Sequence, residues 1–95
     1  MKLPAPLAFK WDKGNLKKNW GKHKIYFKEI EEVFFNRPIK FFQDKKHSNE
    51  EKRFIALGKT NKQTKLIIIF IVRNKKIRII SARKQSKKER SIYEK

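Results

Sequence analysis

Apolar residues along this chain follow two rhythms, a helical one in the first third and a strand-like one afterwards. Lys65 to Val72 carries an unbroken apolar run from Leu66 to Val72. That is strand length, and a strand apolar on both faces belongs in the middle of a sheet. Ile77 to Lys84, reading IRIISARK, is a second strand rich in β-branched residues. Alternation sends Arg78 to the face opposite Ile77 and Ile79. A cation there needs water or an anion. Arg78 is thus either part of a solvated polar face or part of the floor of a phosphate site. Arg53–Leu57 and Ile39–Gln43 read as further strands, with Asp44–Glu51 a polar loop. Gly58–Thr64 and Asn74-Lys75 read as turns, so residues 53–84 form a β-meander.

The helical rhythm predicts a helix over Phe27–Asn36, with Phe27, Ile30, Val33 and Phe34 as its buried stripe and Pro38 as its stop. Glu29, Glu31 and Glu32 gather near its start, where the helix dipole favours anions. Upstream, Phe9–Trp11 is a short strand and Asp12 an N-cap for a helix from Lys13. Leu16, Asn19, Trp20 and His23 share one face of that helix, with Trp11 and Leu16 spaced as a hydrophobic staple. Ser86-Lys-Lys-Glu89 has the form of a capping box and starts a last helix through Tyr93. The order strand, two helices, four strands and a helix predicts an α+β domain with a mostly antiparallel sheet. One domain fills residues 1–95, with 1–8 as an extended lead-in around Pro4 and Pro6.

Charge changes this picture more than composition does. Twenty-seven Lys and Arg against nine acids give +18, a field that attracts polyanions, nucleic acid first among them. The 13% aromatic content, in periodic blocks, argues for a folded chain despite that charge. No cysteine is present, which excludes disulfides, thiolate nucleophiles and cysteine-zinc sites. His23 and His47 lack ligand spacing, so neither a metal centre nor another cofactor is expected. No apolar stretch is long enough to span a membrane, and Met1–Ala8 lacks the apolar core of a signal peptide. The expected location is the cytoplasm.

Cleavage of RNA by its own 2′-hydroxyl needs a proton acceptor, a proton donor and cations around the phosphorane-like transition state. Arg53, Arg73, Arg78 and Arg83 fall on or beside the meander strands, where a sheet can converge them. Guanidinium forks suit phosphate oxygens. His47, in a polar loop, is the proton-transfer candidate, and Tyr93 a second one. Lys10, Lys13, Lys17, Lys18, Lys22, Lys24 and Lys28 crowd the first third as a diffuse attractor. Of these, Lys17, Lys18 and Lys22, together with Lys84, are the expected RNA-backbone contacts. P-loop and dinucleotide glycine patterns are absent. On composition alone, a non-catalytic nucleic-acid-binding module fits as well as a nuclease.

The motifs separate the two. Phe9-x-Trp11-Asp12, Asn19, Lys22-His23, Phe27 and Glu29 resemble the N-terminal pattern of the BrnT toxins. His47-Ser48, Arg53-Phe54 with Gly58, Arg73, IRIISARK, Glu89-Arg90 and Tyr93 match the remainder in order. The resemblance implies a toxin of a type II toxin–antitoxin pair, with a RelE-like fold and metal-independent endoribonuclease activity that arrests translation and growth. It implies an RNA substrate and a BrnA-like ribbon-helix-helix antitoxin, with operator DNA reached only through that antitoxin. The family's basic sheet residues carry over to Arg53, Arg73, Arg78 and Arg83. Three positions depart from the pattern. Lys24 replaces a glycine after Lys-His, Tyr26 replaces a Ser that would share a capping box with Glu29, and Asn74-Lys75 replaces a Gly-Asp turn.

Overall fold

A computed structural model describes residues 3–14, 16–17 and 24–95. Five strands form one sheet in the order β1-β5-β4-β3-β2. They are β1 (Phe9–Lys10), β2 (Lys40–Gln43), β3 (Phe54–Lys59), β4 (Lys65–Arg73) and β5 (Lys76–Lys84). The β1–β5 pair is parallel and every other pair antiparallel. The apolar run of β4 takes the central place, as its lack of alternation requires. Asn74 and Lys75 both have positive φ (52° and 60°), the conformation that lets a two-residue turn match strand twist. Residues 13–14 and 16–17 are helical, and the Asp12 carboxylate accepts the Gly14 N–H at 2.7 Å. Asn19, Trp20 and His23, assigned above to that helix's inner face, lie outside the described residues.

Helix α1 (Phe27–Phe35) lies across one face of the sheet. Ile30, Val33 and Phe34 bury fully against Ala56, Leu66, Ile68, Phe70, Ile77, Ile79 and Ala82. Phe27 is a correction: it stays 37% exposed rather than completing the stripe. It meets Trp11 edge-on at 5.9 Å between ring centroids, and the Trp11 indole donates to Glu31 at 2.7 Å. Phe34 and Phe70 pack edge to face at 5.2 Å, a geometry that their ring quadrupoles favour. Of the box at this helix's start, the Glu29 half survives: its carboxylate accepts the Tyr26 N–H at 3.2 Å.

Gly58 is a second correction. It lies inside β3, not in a turn, and that strand runs on to Lys59. A Cβ at Gly58 would stand 2.5 Å from Val33 Cγ1, so glycine is what lets α1 settle this close to the sheet. Helix α2 (Lys87–Tyr93) folds onto the other face, where Tyr93 buries with Leu57 and Ile67. The sheet is therefore covered by α1 on one side and only partly by α2 on the other. Among the described residues, no helix is long and apolar enough to cross a membrane.

Candidate functional site

The part of the second face that α2 leaves open is built by alternation along the strands. Register places Ile71 of β4 opposite Arg78 of β5, and Arg78 opposite Lys10 of β1. Arg53, one residue before β3, extends the same line, because Phe54 pairs with Phe70. The row Arg53–Ile71–Arg78–Lys10 therefore crosses the sheet on one face. Its two arginines sit two strands apart, roughly 10 Å between backbones. Ile69 and Phe70 mark a register shift, with Ile80 as the extra residue of β5. That bulge lets Ile79 and Ala82 both reach the core while Arg78, Ser81 and Arg83 keep to the open face.

Above this row lies a cleft of about 500 Å³. Ile71 and Ile80 line it from the strands, Arg53 and Arg73 from the strand ends, and His47, Asn49, Glu50 and Glu51 from the loop after β2. The loop is held in place locally. A 3₁₀ turn spans Lys45–His47, the Asp44 N–H donates to the Arg53 carbonyl at 2.8 Å, and the Ser48 hydroxyl accepts the Arg53 N–H at 2.9 Å. His47 Nδ1 stands 3.0 and 3.2 Å from the two Asp44 carboxylate oxygens. A carboxylate there favours the proton on Nδ1 and leaves Nε2 as the nitrogen open to a ligand.

The four arginines are not equivalent. Arg73 forms a two-pronged pair with Glu51, at 2.9 and 2.6 Å. Arg83 forms another with Glu89, at 2.8 and 2.8 Å. Arg53 and Arg78 have no side-chain hydrogen bond or ion pair with any described residue. Glu51 is held below the usual carboxylate range chiefly by its hydrogen bond with Arg73, with the charges of Arg73 and Arg78 pulling the same way. It stays ionised inside the cleft. Glu89 is held at about 2, first by Arg83 and then by the Ser86 N–H of its capping box.

A sequence profile described as "Ribonuclease toxin, BrnT, of type II toxin-antitoxin system" matches residues 11–89. The chain belongs to the BrnT family. Its fold is also similar to the 1.1 Å crystal structure of the Brucella abortus ribonuclease toxin BrnT, with a TM-score of 0.63 and 24% identity. That match covers 85% of this chain and 99% of the Brucella chain. Comparison with curated proteins gives no match.

Set against the residues expected from sequence, this cleft brings together His47, Arg53 and Arg73, with Arg78 in the adjoining strand row opposite Ile71 and close enough for its charge to act on Glu51. Arg83 is on the same face but four residues further along the β4 register, roughly 13 Å from the Arg78 row. Lys84 pairs with Leu66, a residue of the α1 core, and so faces away from Arg83. Tyr93 is placed elsewhere: it is buried under α2 and its hydroxyl donates to the Pro38 carbonyl at 2.7 Å. Burial raises its pKa, keeping the phenol protonated. Lys17 is exposed on the N-terminal helical segment, and Lys18 and Lys22 lie outside the described residues. Sequence reasoning missed Asp44 and Glu51, two acids in a loop read only as polar, and missed Lys10 as the end of the arginine row. Asp44 three residues before His47 was the available signal.

Proposed function

We propose that this BrnT-family chain is a metal-independent endoribonuclease that cleaves RNA by attack of the 2′-hydroxyl on the adjacent phosphate. The observation that carries the reading is a cleft lined by Arg53 and a carboxylate-oriented histidine, with Arg78 in the strand row beside its Ile71 floor; neither arginine has an ion pair with a described residue. Nε2 of His47 takes the 2′-hydroxyl proton while Asp44 steadies the imidazolium that forms. As the 2′-oxygen bonds to phosphorus, the bond to the 5′-oxygen breaks and that oxygen takes a proton from water, leaving a cyclic phosphate. Arg53 and Arg78 face the charge that builds on the phosphoryl oxygens. Glu51, ionised and bound to Arg73, fixes that side chain at the rim rather than donating a proton. Tyr93 has a structural role in this scheme, and Arg83 a steering one.

A BrnA-like ribbon-helix-helix antitoxin would neutralise the toxin and carry the pair to operator DNA, and the unopposed toxin would arrest translation and growth. Incubating the purified chain with labelled RNA in EDTA tests the chemistry. Cleavage to cyclic phosphate ends is expected, with loss in Arg53→Ala and Arg78→Ala variants that remain folded. Tight binding without cleavage would favour a non-catalytic nucleic-acid module. A neighbouring reading frame encoding a ribbon-helix-helix protein would support the antitoxin.

A further inference from the structure

Strand β2 carries two adjacent phenylalanines with opposite fates. Phe41 turns inward, its ring 6.1 Å from Phe70 and 6.4 Å from Phe34. Phe42, on the other face, is 43% exposed. It pairs with Ile55, which pairs with Ile69, which pairs with Ser81. This second cross-strand row runs beside the Arg53–Ile71–Arg78–Lys10 row on the same open face, roughly 7 Å away along the strands. The open face therefore has an apolar band of Phe42, Ile55 and Ile69, with the Arg53 and Arg78 cations on one side of it and Arg83 beyond it on the other. Because β2 is the edge strand, no further strand covers Phe42.

A flat aromatic next to a row of cations matches single-stranded nucleic acid, whose bases are apolar on their faces and whose phosphates follow at short range. A duplex keeps its bases stacked inside and offers this surface only phosphates. We propose that Phe42 is a stacking platform for one unpaired base of the RNA whose phosphate lies on Arg53 and Arg78. Phe42 then sets which nucleotide is held beside the cut. The proposal rests on the ribonuclease reading above and adds to it a residue that fixes strandedness and position. Ile55, its cross-strand neighbour on the same face, flanks the ring, and the cation row holds the backbone at a fixed offset from it.

The test uses single-stranded RNA oligonucleotides made uncleavable by 2′-O-methylation, with one abasic residue walked through the sequence, and binding measured in EDTA. Wild type is expected to lose about 5- to 100-fold in affinity when the abasic residue reaches one position, the range for one stacked base. Phe42→Ala should bind the intact RNA about 5- to 100-fold more weakly and no longer respond to the abasic residue. Phe42→Trp should restore both. Phe42→Leu keeps an apolar side chain over Ile55 while removing the aromatic face, and should behave as the alanine variant does. Equal binding and equal abasic profiles in wild type and both truncations, with wild-type RNA cleavage intact, would overturn the proposal alone. Failure of the wild type to bind or cut any RNA would overturn the ribonuclease reading and this one with it. Unchanged RNA binding with weakened antitoxin binding would overturn it too, by assigning Phe42 to the protein partner.

Discussion

Replacing Glu89 by Gln removes one charge at the junction of β5 and α2 and leaves the shape intact. The Gln oxygen can still accept the Ser86 N–H, so the capping box persists and the loss is mainly that of the Arg83 pair. Glu89 falls from the ordinary 4.5 to about 2 in the folded protein. That depression would correspond to about 3.4 kcal/mol if fully realised. Its partner's side chain is 47% exposed against 20% for Glu89, so solvent screening reduces this to roughly 1–2 kcal/mol. In a domain of this size that lowers the melting temperature by roughly 5–15 °C. The sign follows from the depressed pKa. The unfolded chain binds the proton first, so the contribution is complete above about pH 4.5 and is lost as pH falls toward 2. Thermal unfolding of wild type and Glu89→Gln should therefore differ at pH 7 and converge between pH 4.5 and 2. A variant melting with wild type at pH 7, or a gap that persists unchanged at the acid end, would refute the reasoning. The same change frees Arg83, and the salt dependence of RNA binding should steepen by about 0.7 in logarithmic slope if that guanidinium then meets a phosphate.

Other consequences can be checked separately. His47→Ala should lower the cleavage rate by about 10²- to 10⁴-fold. Asp44→Asn, which keeps the ring but weakens its orientation, should give a smaller drop, and wild-type rates in either variant would remove the histidine from the mechanism. Gly58→Ala should cost about 1–3 kcal/mol, since Val33 must yield to the new methyl group, and a urea midpoint equal to wild type would contradict that contact. Tyr93→Phe should lose about 0.5–1.5 kcal/mol with the Pro38 hydrogen bond and leave RNA cleavage unchanged, whereas a hundredfold loss of rate would return Tyr93 to the chemistry.

Strand positions were legible because burial writes itself into local pattern. The seven apolar residues from Leu66 to Val72 announced a central strand, and the isoleucines around Arg78 announced its outward face. Ser86 and Glu89 announced a helix start that the structure reproduces, with Ser86 Oγ accepting the Glu89 N–H at 3.2 Å. Gly58 was misread because glycine is a turn signal when judged alone. Its real constraint is the approach of Val33, twenty-five residues away in sequence.

For the site, residue type and strand face were readable in the chain, and partnership was not. Four arginines on or beside strands of one meander could be expected to share a surface, since alternation is a property of each strand by itself. Which of them are neutralised depends on where loops and helices bring carboxylates, and that is decided only when the chain closes. Glu51 reaches Arg73 across 22 residues. Glu89 reaches Arg83 because α2 folds back over the sheet, and that same fold carries Tyr93 to Pro38 across 55 residues. Sequence by itself determined the basic, apolar-striped sheet and its family. Tertiary structure decided that Arg53 lines the cleft with His47 and that neither it nor Arg78 has an ion pair with a described residue, because ion pairs and register bulges depend on contacts between segments that local periodicity cannot encode.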